Sequence, residues 1–136
     1  MTRGTLALII AAALIVCLGL GFVWGASGRF TLQRTLEATQ QQLDIAEARG
    51  RILDARVSLY NMNFGDATKN FDEAKTALRR VRQRYQDVHK SDAALSIESA
   101  IRHVEEAQRL AGTLDPASNT KASEALEAIR VATSKS

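Results

Sequence analysis

From Gly4 to Gly28 the chain carries no charged side chain, and apart from Arg3 every Asp, Glu, Lys and Arg lies beyond that window. This asymmetry divides the 136 residues into a hydrophobic segment, 1–28, and a polar body, 29–136. Residues 6–24 read LALIIAAALIVCLGLGFVW. A bilayer core of roughly 30 Å needs about 20 apolar residues at ~1.5 Å of helix rise each, so one transmembrane crossing is expected. Trp24 and Arg29 fall where aromatic and basic residues favour the headgroup boundary. Gly25-Ala26-Ser27 would suit a signal cleavage site, but the basic n-region is only Met1-Thr2-Arg3. The apolar run also exceeds the roughly 7–15 residues of a signal core. Val16 before Cys17 argues against a lipoprotein signal. An uncleaved anchor in the lipid bilayer is expected.

Basic residues give no decisive orientation, with Arg3 and the amino terminus on one side and Arg29 and Arg34 on the other. A short N-terminal tail ahead of a long body suggests a body on the periplasmic or otherwise exported side. Ala13, Cys17, Gly21 and Gly25 recur every fourth residue and form a small-residue stripe. Such stripes let helix backbones approach closely in lipid, so these four are candidate positions for membrane helix packing. Cys17 is expected to serve there as a small apolar residue.

The polar body shows helical spacing throughout and no alternating apolar run. Four helices are expected, over about 29–63, 66–90, 92–112 and 116–133. In the first, Leu32, Leu36, Thr39, Leu43, Ala46, Gly50, Leu53, Val57, Tyr60 and Phe64 follow one another in steps of four and three. This is a coiled-coil-type seam, expected to face the second helix. No Pro separates it from the hydrophobic segment, so the two could form one continuous helix.

Gly65-Asp66 is the expected link to the second helix, with Gly as a C-terminal cap and Asp as an N-cap. That helix has its own seam of Ala67, Phe71, Ala74, Leu78, Val81, Tyr85 and Val88. Two matched seams and a short link imply an antiparallel hairpin. Ser91-Asp92 is expected to cap the third helix, whose inner face would be Ala94, Ile97, Ile101, Val104, Ala107, Ala111 and Leu114. Asp115-Pro116 reads as an N-cap followed by Pro at the first helical position. The fourth helix would face inward through Ala122, Ala125, Leu126, Ile129 and Ala132. The expected class is all-α: an N-terminal transmembrane helix continuing into an extramembrane hairpin or bundle of three to four helices. Its core is Ala-rich, and each buried Ala contributes far less than a Leu at ~25 cal/mol per Å². A thin core of this kind points to a chain stabilised by partners.

Little in the chain suggests chemistry. One Cys excludes an internal disulfide, and no nucleophile elbow, zinc-protease, phosphate-loop or CxxC motif occurs. Neither His89 nor His103 has Glu three residues before it, as a di-iron bundle requires. No catalytic residue, metal or cofactor is expected, and His103 is expected to pair with Glu106.

Lys75, Arg79, Arg80, Arg82 and Arg84 form the densest basic run. They are candidates either for an acidic protein partner or for ion pairs with Asp44, Glu47 or Asp54 across the hairpin. In a hairpin rising from the bilayer, position 84 would stand some 30 Å above it by helix rise, beyond a Debye length of about 8–10 Å. Headgroup binding is therefore not expected. Nucleic acid is not expected either, because no aromatic side chains are interleaved with the charges. At the hairpin tip, Tyr60, Met62 and Phe64 are candidate partner contacts, since aromatics and Met favour interface cores. Alternatively Tyr60 and Phe64 close the seam above Phe71.

Ala67, Phe71, Ala74 and Leu78 resemble the second helix of a tetratricopeptide repeat over about a dozen residues. The first-helix signature does not match, and no copy recurs 34 residues on, where Ile101 and Glu105 stand. The anchor-plus-bundle layout is similar to the ligand-sensing part of bacterial chemoreceptors, without their second membrane helix and signalling domain. The expected role is that of a non-catalytic single-pass accessory or assembly subunit. It would bind other integral membrane subunits, as in respiratory or photosynthetic assemblies. The alternative is a self-associating membrane-anchored scaffold or sensor-type bundle.

Overall fold

The computed structural model describes the backbone of residues 3–135, and side chains at 15–17 and 35–135. Among the described residues it contains four helices: α1 (Arg3–Tyr60), α2 (Phe64–Asp87), α3 (Ser91–Gly112) and α4 (Ala117–Ser134). Two compact units divide the chain, Met1–Thr39 and Gln40–Ser136.

The first unit is the N-terminal part of α1. Ile15, Val16 and Cys17 are exposed there, as is Leu36. Among the described residues no helix is long and apolar enough to cross a membrane. The expected span, residues 6–24, lies outside the described side chains except at 15–17. So do Ala13, Gly21, Trp24, Gly25 and Arg29, and the anchor rests on the sequence alone.

The second unit is a four-helix bundle. Opposite charges fix the pairing of α1 with α2: Arg80 bridges Asp44 at 3.2 Å and Glu47 at 2.8 Å, Arg84 pairs with Asp44, and Arg51 meets Glu73 at 2.8 Å. As α1 numbers rise the α2 numbers fall, so the pair is antiparallel. On the next side, Lys75 Nζ donates to Gln108 Oε1 at 2.6 Å and Arg82 pairs with Glu98, joining α2 to α3. The buried Ser118 hydroxyl donates to the Ala107 carbonyl at 2.7 Å, joining α3 to α4. Arg56 Nε donates to Asn119 Oδ1 at 2.8 Å and closes the ring between α1 and α4.

The seams expected for α2, α3 and α4 form the core. Phe71, Leu78, Val81 and Tyr85 of α2 are fully buried with Ile97 and Val104 of α3 and Ile129 of α4. Ala67, Ala74, Ala77, Ala100, Ala107, Ala122, Ala125 and Ala132 fill the spaces between them. Two seam ends differ: Val88 and Leu114 are exposed, because each lies beyond the last turn of its helix.

The α1 expectation is overturned. Its buried face is Ile45, Ala48, Ile52 and Ala55, with Leu59 partly buried and Asp44 buried beside them. Leu43, Leu53, Val57 and Tyr60, expected inside, are exposed. At 100° per residue the two sets lie on opposite sides of the helix. The Ala-rich face packs inward, with Ala48, Ile52 and Ala55 fully buried. It also sets Asp44 against Arg80 and Arg84.

The α1–α2 link is also not where Gly65-Asp66 placed it. The helix breaks over Asn61, Met62 and Asn63, and Gly65 lies inside α2. The Asn63 side chain caps α2 by accepting from the Asp66 amide at 3.3 Å. All three links use one device. The amides of Asn63, Lys90 and Asp115 donate back to the carbonyls of Ser58, Tyr85 and Leu110, five residues earlier. In each the preceding residue takes a positive φ: Met62 at 57°, His89 at 58° and Leu114 at 58°. These are Schellman turns, which normally place glycine at that position. Ser91 is helical and Lys90 precedes it with no side-chain cap, so the expected Ser91 cap is absent. α4 begins at Ala117, so Pro116 stands at the cap position and not at the first helical one, while Asp115 Oδ1 just before it accepts from the Ala117 amide at 2.8 Å.

Candidate interaction surfaces

The α1–α2 and α3–α4 turns meet at one end of the bundle. Together they frame an open cleft of about 270 Å³ lined by Leu59, Met62, Phe64, Leu114, Asp115, Pro116, Ser118 and Asn119. Two of its lining residues are large exposed hydrophobics, Met62 at 79% and Leu114 at 66%, with Phe64 half-buried beside them; Tyr60, 84% exposed, does not line it. The expected role of Tyr60 in closing the seam is not met, and Phe71 is buried well inside. Met62 and Leu114 are held in the left-handed region, which costs a non-glycine residue about 1–2 kcal/mol. Sequence reasoning placed Leu114 in the core. The signal against that was its position, after Gly112 and just before the Asp115-Pro116 start signal.

The basic run is matched inside the bundle. Arg80 and Arg84 hold Asp44, and Arg80 also holds Glu47. Lys75 meets Asp72 at 2.8 Å, Arg79 meets Glu105 at 3.4 Å, and Arg82 pairs with Glu98. Asp54, the third acid expected to pair, makes no ion pair among the described residues. Hydrogen bonds from Lys75 and Gln108 lower the Asp72 pKa below the usual carboxylate range. The same direction holds for Glu106 beside Arg109, Glu124 beside Lys121 and Glu127 beside Arg130, each through its hydrogen bond to the cation. Reciprocally, Arg109 and Arg130 are raised. His103 does not pair with Glu106: its Nδ1 lies 3.1 Å from Glu124 of α4, while Glu106 binds Arg109. Among the described residues no cluster of three or more His, Cys, Asp or Glu is arranged to hold a metal ion.

A third surface is the outward face of α1. Leu43, Leu53 and Val57 are exposed there in one line with Ala46 and Gly50. Comparison of the chain with protein families, with curated proteins and with solved structures found no match.

Proposed function

We propose that this chain is a non-catalytic accessory or assembly subunit. It is anchored by residues 6–24 in a membrane and binds a larger membrane protein complex through the end of its bundle. The observation that carries this reading is the exposed apolar pair of Met62 and Leu114, which line an open cleft with Phe64. Two turns distant in sequence bring exposed apolar side chains together on strained backbone. Met and aromatic residues are the types that form interface cores. The anchor follows from the uncharged run of residues 4–28. Respiratory and photosynthetic assemblies are the setting in which such one-helix subunits are familiar.

The test is purification of the full chain by a C-terminal tag from native membranes in mild detergent, followed by mass spectrometry of the size-exclusion peak. Other membrane chains are expected in fixed stoichiometry, and they should be lost from the double variant Met62→Asp, Leu114→Asp. A peak holding this chain alone would refute the reading. It would leave the self-associating scaffold, which the exposed stripe on α1 favours.

A further inference from the structure

The outward stripe of α1 has a period and a charge pattern that select its occupant. Leu43, Ala46, Gly50, Leu53, Val57 and Tyr60 repeat in steps of three and four, which is the a/d spacing of a left-handed coiled coil. This stripe lies opposite the face that α1 buries in its own bundle, and Leu43, Leu53, Val57 and Tyr60 on it are exposed among the described residues. Gly50 sits in its middle. A methyl group added there would meet nothing within 4 Å, so nothing inside the bundle explains a glycine that weakens the helix.

With Leu43, Gly50 and Val57 at a positions, Arg49 falls at g and Asp54 at e. Both are exposed, and neither makes an ion pair among the described residues. In a parallel, in-register pair of α1 helices, each g residue meets the e residue five positions on in the other copy. Arg49 then faces Asp54 of the second copy, and symmetry repeats the pair. An antiparallel pair would set Arg49 and Arg56 against arginines, and Glu47 and Asp54 against acids.

We infer that the chain forms a parallel homodimer through this face of α1, with Arg49 and Asp54 pairing between copies. The charges alone set the direction, so the inference goes beyond the proposed function and stands whether or not residues 6–24 cross a bilayer.

The test uses the full chain in mild detergent with Cys17→Ser as background. Single cysteines are placed at Leu43, at Val57 and, as a control on exposed α3, at Arg102. In a parallel pair, each a position meets its own counterpart within disulfide reach. Mild oxidation should therefore join most of the Leu43→Cys and Val57→Cys chains into dimers and few of the Arg102→Cys chains. Because these side chains are exposed, the helical circular dichroism should not change.

Arg49→Glu should weaken dimerisation by about tenfold, through two lost attractions replaced by repulsions. The double variant Arg49→Glu, Asp54→Arg should restore it. Positions 49 and 54 do not touch within one helix, so a role confined to one chain would give no rescue. Equal crosslinking of the control would overturn the inference. So would dimers only from mixed Leu43→Cys and Val57→Cys chains, failure of the rescue, or capture of a different polypeptide by a photo-crosslinker at position 53 in native membranes.

Discussion

Replacing Met62, His89 and Leu114 by glycine should stabilise the bundle. Each stands at a φ of 57–58° at the end of a helix, and the hydrogen bonds of its turn are made by backbone alone. Relief of the left-handed conformation is worth about 1–2 kcal/mol per site. Glycine's greater freedom in the unfolded chain takes back about 0.5–1 kcal/mol. The side chains add little because all three are exposed. A net gain of roughly 0.5–1 kcal/mol per site follows, or about 2 kcal/mol for the triple variant. At about 4–8 °C per kcal/mol for a bundle of this size, its Tm should rise by about 10 °C. His89 lies at the other end of the bundle from Met62 and Leu114 and should act additively, whereas those two share a cleft and can couple. The assay is thermal circular dichroism of the full chain in detergent, with alanine at each site as the control. Alanine keeps the strain and should give no gain. Glycine variants that melt lower than the parent, or alanine variants that rise as far as glycine, would refute the reasoning. The same series separates stability from binding. Met62→Gly and Leu114→Gly should lose co-purifying chains while His89→Gly keeps them.

Asp44→Ala should cost about 2–4 kcal/mol in urea unfolding, because a carboxylate whose side chain is only 3% exposed serves two arginines that would lose it. Arg80→Ala should cost less, since Arg84 still holds Asp44, and equal losses would contradict this ordering. Tyr85→Phe should hold or raise Tm by a few degrees, because the buried Tyr85 hydroxyl has no hydrogen-bond partner among the described residues, and a marked fall would show that it has one. Acid should weaken the bundle in one direction only. Asp72, Glu106, Glu124 and Glu127 have lowered pKa values when folded, so their stabilisation is complete above the ordinary carboxylate values of 3.8–4.5 and is lost as pH falls below them. A melting temperature flat from pH 8 to pH 5 and falling below about pH 4.5 is expected, and a rise on acidification would contradict it.

Much of the fold was legible because three of the helices carry one apolar face each. The run of Ala67, Phe71, Ala74, Leu78, Val81 and Tyr85 admits a single inward side, and all six are buried. α1 misled because it carries two such faces. The larger residues, Leu43, Leu53 and Val57, form the regular stripe, while the core face is smaller, Ala-rich and interrupted by Asp44. Periodicity cannot rank two stripes on one helix; the charges of Asp44, Glu47 and Arg51 against α2 decide between them. The turns were misread for a related reason. Gly65 carries the strongest local turn signal, but the cap of Asn63 on Asp66 and the backbone bonds at Met62 end the helix sooner. The expected tip residues Met62 and Phe64 do line the cleft, and Leu114 joins them only through the tertiary pairing of two turns.

The order of packing has a kinetic consequence. α2 lies against α1, α3 against α2 and α4 against α3, each joined to its predecessor by a turn of three or four residues. Among the described hydrogen bonds, that of Arg56 with Asn119 spans the longest stretch of chain. A topology in which successive helices pack on one another through short turns pays less loop-closure entropy than one built on distant pairings, and helical bundles fold in microseconds to milliseconds. Both partners of the α1–α2 pairing are therefore in place in the nascent chain before α4 is synthesised, since α4 is the last helix in the sequence.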